Sequence, residues 1–348
     1  MSVQTSQTSP GAIDPVDTVA DQVNGAVDPV DAVAEPALPS LSPSRAADFK
    51  TCPLLYRFRA IDRIPELPTP DQIRGTLVHA VLERLFDLPA AQRTRPEAAA
   101  LVAPQWQRLC EERPELLDLF TPTPVASPDQ VPSEGDATAE TPSASLRVDH
   151  ETESRALADS DALVASAVDL LDGYFAVEDP RRLEPAEREC LVEAVVDDHL
   201  LLRGYIDRLD VSPDGDLRVV DYKTGGAPRE AFEARALFQL KFYALVLWRT
   251  RGVVPRVLRL LYLKDAEACD YAPEVQELER FERTLLALWR AIERATDERD
   301  FRPRPSRLCG WCAHQVRCPA YGGTLPPFPE PPPPVQAPAP EPIIAMDE

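Results

Sequence analysis

The chain has no run of apolar residues near the ~18 positions that a membrane-spanning helix needs, and its N-terminus lacks a basic segment followed by an apolar one. These absences argue against a membrane protein or a secreted protein, so we expect a cytoplasmic location. The chain also lacks a G-x-x-x-x-G-K-S/T motif, which excludes a P-loop motor of its own. In a cytosolic chain, the seven cysteines are expected to be thiols or metal ligands rather than disulfides.

Positive charge is scarce in three segments. The first 40 residues contain six acids and no Lys or Arg, and the segment from Thr324 onward contains four acids and no basic residue. Residues 121–161, rich in Pro, Ser, Thr and Ala, carry nine acids against two arginines. Segments with so few large apolar side chains cannot offset chain entropy. We therefore predict a disordered acidic tail over residues 1–40, a disordered insertion over 121–159 and a Pro-rich disordered tail over 322–348.

The formal net charge of −21 belongs mainly to these segments. They account for 17 of the 21 net negative charges, which leaves −4 on the rest of the chain. The acidity therefore does not exclude a nucleic-acid partner, although no long Lys/Arg run indicates a basic groove. The acidic segments are expected to act in solvation, with competition for such a groove as the alternative.

Residues 41–321 predict one α/β domain in which helices flank a short mixed sheet. Ser42 followed by Pro43 is typical of a helix start. Apolar periodicity predicts helices over 72–88, 98–119 with a break at Pro114, 160–176, 229–251 and 273–296. Val-, Leu- and Ile-rich runs predict strands over 190–196, 200–211, 217–222 and 257–263. The Ser-Pro-Asp-Gly-Asp sequence at 212–216 predicts a turn that joins two of these strands in a hairpin.

Charged residues lie at regular positions in this hairpin. Alternation of side chains places Asp207 on the face of its strand that carries Tyr205 and Leu209, and places Asp221 and Lys223 together on the apolar face of theirs. A carboxylate on an apolar face is costly unless a cation or a metal is beside it. Two carboxylates and one ammonium suit metal-assisted phosphodiester hydrolysis, with the aspartates on Mg²⁺ or Mn²⁺ and the lysine near the attacking water or the phosphorane. From these residues alone, a structural Asp–Lys pair between strands is the simpler interpretation.

The hairpin sequence carries a longer pattern. Gly204-Tyr-Ile-Asp207-Arg208, followed by Val-Val-Asp221-Tyr-Lys223-Thr-Gly, resembles the G-x-(I/V)-D-R and (I/V)-D-Y-K-T-G signature of RecB-like nucleases in the PD-(D/E)XK superfamily. The resemblance implies a restriction-endonuclease-like core, with Asp207 and Asp221 as metal ligands and Lys223 as the catalytic lysine. For Arg208, pairing with a carboxylate, contact with phosphate and a surface salt bridge all stay open.

Two helical motifs extend the resemblance. Gly75-Thr-Leu-Val-His79 resembles the family's G-x-x-x-H motif, which implies that His79 binds the metal or contacts phosphate; Glu83, one turn further along the same helix face, is a weaker candidate behind that ligand. Gln239-Leu-Lys-Phe-Tyr243 resembles the Q-x-x-x-Y motif, which implies that this pair lines the active site and contacts DNA or Lys223. Considered alone, either motif also fits polar side chains that hydrogen-bond within the core.

Cys309, Cys312 and Cys318 form a C-x2-C-x5-C pattern near the end of the predicted domain. Three thiolates at this spacing indicate a metal site that needs a fourth ligand, for which Cys52 is the best candidate. The arrangement resembles the [4Fe–4S] site of iron–sulfur RecB-like nucleases, including the AddB C-terminal domain and CRISPR-associated adaptation nucleases. It implies a structural cluster that joins the N- and C-terminal parts of the domain. Zn²⁺ in place of the cluster, and His314 in place of Cys52, stay open.

The combined resemblance implies a metal-dependent DNA exonuclease that acts on single strands or DNA ends in repair or recombination, with a separate helicase as a possible partner. The alternatives are a catalytically inactive nucleic-acid-binding or scaffold module of the same fold, and a zinc-stabilised interaction domain. The oligomeric state is not indicated. The other thiols and histidines have no metal spacing and are assigned no role: Cys110, Cys190, Cys269, His150 and His199.

Overall fold

A six-stranded mixed sheet organises the computed structural model, which describes residues 38–120, 150–227 and 233–330. The strands are β1 (Ser40–Leu41), β2 (Glu187–Val196), β3 (Leu200–Val211), β4 (Leu217–Lys223), β5 (Val257–Tyr262) and β6 (Glu267–Tyr271). Strand β3 pairs antiparallel with β2 along nearly its whole length, and its other edge pairs parallel with β1 and antiparallel with β4. Strand β5 is parallel to β4 and antiparallel to β6. The predicted α/β class with a mixed sheet is confirmed.

Helices cover both faces of the sheet. The helices are α1 (Pro43–Thr51), α2 (Pro53–Tyr56), α3 (Pro70–Leu85), α4 (Arg95–Glu112), α5 (Glu115–Asp118), α6 (His150–Val177), α7 (Glu233–Arg251) and α8 (Val275–Asp297). Helices α1, α2, α7 and α8 share one hydrophobic cluster with β2 and β3. Helices α3, α4 and α6 form a second cluster with β4 and the end of β5. The sheet thus separates two hydrophobic cores. A groove remains at the edge where helix α3 lies beside β2 and β4, and it can hold a functional site.

Local sequence explains where several helices begin. The Ser42 side chain accepts a hydrogen bond from Arg45 N ahead of Pro43, as predicted. At α3, Thr69 and Gln72 form a capping box before Pro70, which starts the helix two residues earlier than its apolar periodicity indicated. The break at Pro114 between α4 and α5 is also as predicted. The hairpin of β3 and β4 has the expected antiparallel pairing around the turn at 212–216.

The largest differences from the predicted boundaries are in three places. Helix α6 begins at His150 instead of residue 160, within the range predicted as an insertion, because its apolar stripe begins only at Leu163 and leaves the first turns without a sequence signal. Strands β1 and β6 are too short and too polar to show a strand pattern, and neither was predicted. Residues 322–330, assigned to the predicted tail, include Phe328, which stacks on Phe301.

Most of the segments predicted to be disordered, residues 1–37, 121–149 and 331–348, lie outside the described residues. Within the described parts of the chain, none of the helices is both long and apolar enough to cross a membrane.

Candidate active site and cysteine cluster

Helix α3 presents His79 to the ends of β3 and β4. The His79 Nε2 atom lies 2.9 Å from the Tyr222 carbonyl oxygen in β4. A carbonyl can only accept, so Nε2 carries the proton and donates it, which leaves Nδ1 with its lone pair in the neutral ring. That Nδ1 atom lies 3.5 Å from Asp207 Oδ2 and 3.8 Å from Glu189 Oε1. The carbonyl therefore orients the imidazole so that Nδ1 points towards the two carboxylates.

Asp207 lies where the alternation of β3 changes. Ile206 and Leu209 are both buried in the same hydrophobic cluster although they are three residues apart. Tyr205, expected on the same face as Leu209, is 55% exposed. The prediction that these two residues share one apolar face is therefore wrong. Asp207 lies at the position where the alternation changes, and its Oδ2 atom accepts a 2.7 Å hydrogen bond from Tyr222 N.

Glu189 is the residue of this site that the sequence did not reveal. The ladder pairs Arg188 with Arg208 and Cys190 with Ile206, while Glu189 between them has a φ of 42°. This left-handed conformation is uncommon for a non-glycine residue and turns the carboxylate out of the regular strand pattern. No motif signals it, and it lies just before the strand predicted from Cys190 onward.

Among the described residues, His79, Glu189 and Asp207 are the one group of possible metal ligands whose atoms all lie within 4.8 Å of one another. One imidazole nitrogen and two carboxylates are suitable donors for a divalent cation such as Mg²⁺ or Mn²⁺. Asp221, predicted as a ligand, is nearly fully buried and is ion-paired with Lys223 Nζ instead of belonging to this group. Its charge nevertheless acts on both His79 and Asp207.

The electrostatics of the group show an excess of negative charge. Burial lowers the pKa of His79, but the surrounding carboxylates, Asp207 first, outweigh it and raise this pKa to about 9. Burial, together with the charge of Asp221, raises the pKa of Asp207 to about 7. In the metal-free protein at neutral pH, His79 therefore carries a proton that a bound cation would have to displace.

A hydrogen-bonded chain runs from Lys223 to helix α7. Lys223 Nζ donates to Gln239 Oε1 at 3.0 Å, and Gln239 Nε2 donates to Tyr243 Oη at 3.0 Å. Tyr243 is buried, and desolvation raises the pKa of its phenol. The Q-x-x-x-Y pair thus contacts Lys223, one of the two contacts that the resemblance implied.

Two motif glycines lie where the elements of the site approach one another closely. A Cβ on Gly204 would lie 2.8 Å from Tyr243 Cε1, and a Cβ on Gly75 would lie 3.3 Å from Thr224 Oγ1. The first contact brings β3 against α7, and the second brings α3 against the end of β4. Side chains larger than hydrogen would separate the elements that carry the site.

Arg208 is completely buried behind the site. Its guanidinium donates to both Glu178 oxygens at 2.8 and 2.9 Å and to Tyr222 Oη at 3.0 Å. It also pairs with Asp210. Of the possibilities left open by the sequence, pairing with a carboxylate is correct; a surface salt bridge is excluded by the burial. Tyr222 is thus bound through its N to Asp207, through its carbonyl to His79 and through its hydroxyl to Arg208.

Glu83 lines the same groove as His79 and Glu189. The remaining residues of the groove are Gly75, Thr76 and Ala80. Among the residues without an assigned role, His199 lies in the β2–β3 turn, and the side chain of His150 is outside the described part of the chain. Cys110, Cys190 and Cys269 are partly buried and form no disulfide among the described residues.

The four predicted cysteine ligands line one cavity of about 60 Å³ between the start and the end of the domain. Arg304 N donates to Cys52 Sγ at 3.3 Å, and Ser306 N donates to Cys309 Sγ at 3.2 Å. Within the described residues no three of the cysteine sulfurs fall within 4.8 Å of one another, since the group around His79 alone meets that limit. His314 does not line the cavity: it is buried beside Phe58, with its Nε2 atom on Glu66.

Direct contacts also join the two ends of the domain. Arg57 Nη2 donates to the Pro326 carbonyl at 2.6 Å, and Arg304 Nη1 donates to the Lys50 carbonyl at 2.6 Å. The expected junction therefore includes hydrogen bonds as well as the cysteine cavity.

Comparisons with known proteins found several partial matches. The chain is 50% identical over 56 residues to the Gene 69 protein of Mycobacterium phage D29, a match that covers 16% of the chain and 18% of that protein, well under two thirds of its length. A structure named "Putative exonuclease" from Eubacterium rectale matches at 10% identity with a TM-score of 0.44, covering 79% of this chain and 87% of that one. The structure of SSO0001 matches at 21% identity with a TM-score of 0.30, over 49% and 79% of the two chains.

The family model of the PD-(D/E)XK nuclease superfamily matches residues 40–319, which is most of the chain and includes both the site around His79 and the cysteine cavity. The chain belongs to the PD-(D/E)XK nuclease superfamily.

Proposed function

We propose that the protein is a Mg²⁺- or Mn²⁺-dependent deoxyribonuclease whose reaction centre is the group formed by His79, Glu189 and Asp207 with Asp221 and Lys223 beside it. The observation that carries the proposal is the convergence of three oxygen and nitrogen donors on one point, next to a lysine held by hydrogen bonds. A binding module would gain nothing from a partly buried cluster with this much negative charge.

His79, Glu189 and Asp207 would hold the cation, with Asp221 adding negative charge behind it. The cation would supply Lewis acidity at the phosphate and a more acidic bound water. The Tyr222 backbone orients two of the three ligands, because its N–H donates to Asp207 and its carbonyl accepts from His79. These contacts fix the donors before substrate arrives.

Lys223 would act on the phosphate or on the attacking water. Its ammonium is partly exposed, and Gln239 holds it by one hydrogen bond while Asp221 pairs with it. An ammonium in this position stabilises the negative charge that develops on the phosphorane. Gln239 and Tyr243 are positioning residues on this view, since they reach the reaction through the lysine.

The proposal is tested with end-labelled DNA in the presence of Mn²⁺, of chelator, and with the Lys223→Ala variant. We expect degradation with metal, none with chelator, and a loss of at least 10²-fold for Lys223→Ala. Lys241→Ala is the matched control, because Lys241 pairs with Glu277 outside the site. Binding of DNA without metal-dependent cleavage would instead indicate an inactive module, and equal cleavage by Lys223→Ala would contradict the assignment.

For the substrate, we propose single-stranded DNA or DNA ends and exonucleolytic cleavage during repair or recombination, with a separate helicase as a possible partner. This part rests on the resemblance of the motifs to RecB-like nucleases. The products from end-labelled single-stranded, double-stranded and circular DNA test it. Cleavage of closed circles at the same rate as linear strands would exclude an exonuclease.

We further propose that Cys52, Cys309, Cys312 and Cys318 hold a [4Fe–4S] cluster. The fit is supported by the cavity among the sulfurs and by the two N–H groups that donate to them. Zinc bound to four thiolates at about 2.3 Å would bring the sulfurs within about 3.8 Å of one another. The choice of a [4Fe–4S] cluster over zinc rests on the resemblance of the cysteine pattern to iron–sulfur RecB-like nucleases.

The cluster would have a structural role. It would close a loop of 257 residues between Cys52 and Cys309, which restricts the unfolded chain. Iron, sulfide and zinc analysis of anaerobically purified protein tests the metal. About four iron atoms per chain with visible absorbance are expected, and loss of both in Cys52→Ser. One zinc per chain without iron would overturn the assignment and favour the zinc-stabilised alternative.

A further inference from the structure

One face of the β2–β3 hairpin carries exposed apolar side chains. Leu191 is 41% exposed, Val195 49% and Tyr205 55%. Leu191 and Tyr205 are register partners on neighbouring strands, so their side chains lie side by side. The opposite face carries Val192, which is buried against the helices of the first core. The exposed face is therefore an apolar surface without a packing partner among the described residues.

This surface is continuous with the metal-ligand group. Tyr205 lies two residues before Asp207 on β3, and Leu191 lies two residues after Glu189 on β2. Two residues of a strand span about 6.6 Å. That distance is comparable to the length of one nucleotide in an extended strand. The strand positions that carry Tyr205 and Asp207 are therefore about one nucleotide apart.

The chemistry of the surface favours a nucleic-acid base over a protein partner. A stable protein interface buries about 800 Å² on each partner. Here the apolar residues are few and are interrupted by the Glu193–Arg203 ion pair on the same face. An exposed tyrosine beside a leucine is instead sufficient to stack on one base, and stacking is insensitive to sequence. A base within a duplex is already stacked and does not present its face.

We propose that Tyr205, with Leu191 beside it, forms a stacking site for the unpaired base next to the phosphodiester at the metal-ligand group. The site would give the nuclease its preference for single-stranded DNA. This inference rests on the proposed function, because it places the scissile phosphate at His79, Glu189 and Asp207.

The test combines Tyr205 variants with single abasic positions moved along a labelled oligothymidylate. For the wild-type protein, one abasic position should lower kcat/KM by roughly 5- to 150-fold, the range for loss of one stacked base. Tyr205→Ala should show a similar loss on the intact strand and almost no further loss at that abasic position. Tyr205→Trp should retain activity. Val211→Ala, an exposed residue of the same strand, is the control and should match wild type.

Two further measurements separate this inference from the proposed function. Hydrolysis of methyl 4-nitrophenyl phosphate, a phosphodiester without a nucleobase, reports on the reaction centre alone, and Tyr205→Ala should leave it unchanged. Strand binding is measured by fluorescence anisotropy in the Lys223→Ala background. An inactive wild-type protein would refute the nuclease, while weaker binding on adding Tyr205→Ala would still support stacking. Equal binding, or an abasic penalty that persists in Tyr205→Ala, would overturn the stacking site.

Discussion

Replacement of Gly204 by alanine tests whether the packing of β3 on α7 holds Lys223 in place. The added Cβ would lie 2.8 Å from Tyr243 Cε1, so the buried ring has to move by about 0.6 Å to reach an ordinary contact of 3.4 Å. The hydroxyl of that ring holds Gln239, and Gln239 holds Lys223. A steric change on one strand should therefore reach the lysine through two hydrogen bonds.

The magnitude follows from two estimates. Overpacking of a filled core costs about 1–3 kcal/mol, which is less than the stability of an ordinary domain, so the variant should fold. A displacement of about 1 Å at a reacting group can cost about 10²-fold in rate. For a shift of about half that size, we expect kcat for DNA cleavage to fall roughly 10- to 100-fold.

The assay measures kcat on labelled single-stranded DNA with saturating Mn²⁺, together with urea unfolding of the same preparation. Gly225→Ala is the matched control, because a Cβ at Gly225 meets nothing within 4 Å. It should retain the wild-type rate. A folded Gly204→Ala protein with kcat within twofold of wild type would refute the proposed path from Tyr243 to Lys223.

Three other predictions concern the same region. Glu189→Gln should weaken Mn²⁺ binding about 10- to 100-fold in calorimetry, whereas Glu193→Gln on the same strand should not; equal affinities would remove Glu189 from the ligand set. Because His79 is protonated below its pKa of about 9 and must lose that proton to bind metal, Mn²⁺ affinity should rise about tenfold per pH unit between pH 7.5 and 8.5, above the pKa of about 7 of Asp207, and a flat profile would contradict this role. Arg208→Met removes both short hydrogen bonds of the buried Glu178 carboxylate and leaves it the 3.5 Å contact with Arg259, so the fold should lose about 3–5 kcal/mol of stability in urea unfolding; a loss below 1 kcal/mol would show that Arg259 or water compensates the carboxylate.

Local signals were sufficient for the regular elements. The turn at 212–216, the β-rich runs on either side and the Ser42–Pro43 start of α1 are short-range features, and each was found close to its predicted place. Strands β1 and β6 depend on pairing with longer neighbours, β3 and β5, so their own residues carry no pattern. The first turns of helix α6, from His150, lack the apolar stripe, so the sequence did not predict them either.

The residues of the candidate site were also predicted only in part. The motifs gave His79, Asp207, Asp221, Lys223, Gln239 and Tyr243, and the structure brings these residues together. Glu189 was missed because its contribution depends on a left-handed φ at one strand position, which no residue pattern encodes. Arg208 was ambiguous in sequence, because only burial distinguishes a phosphate contact from a structural ion pair.

The sequence by itself determined which chemical groups this protein has: an acidic pair with a lysine, a helical histidine and four cysteines in order along the chain. These are set by residue type and short spacing, where side-chain alternation and helix periodicity hold. Tertiary structure decided which of the acids surround His79, because the change of strand face at Asp207 and the turned-out Glu189 arise from pairing between β2 and β3. It also decided that His314 is bonded to Glu66 and that Cys52 lines the same cavity as the other three cysteines, since 257 residues separate Cys52 from Cys309 and only the folded core brings them together.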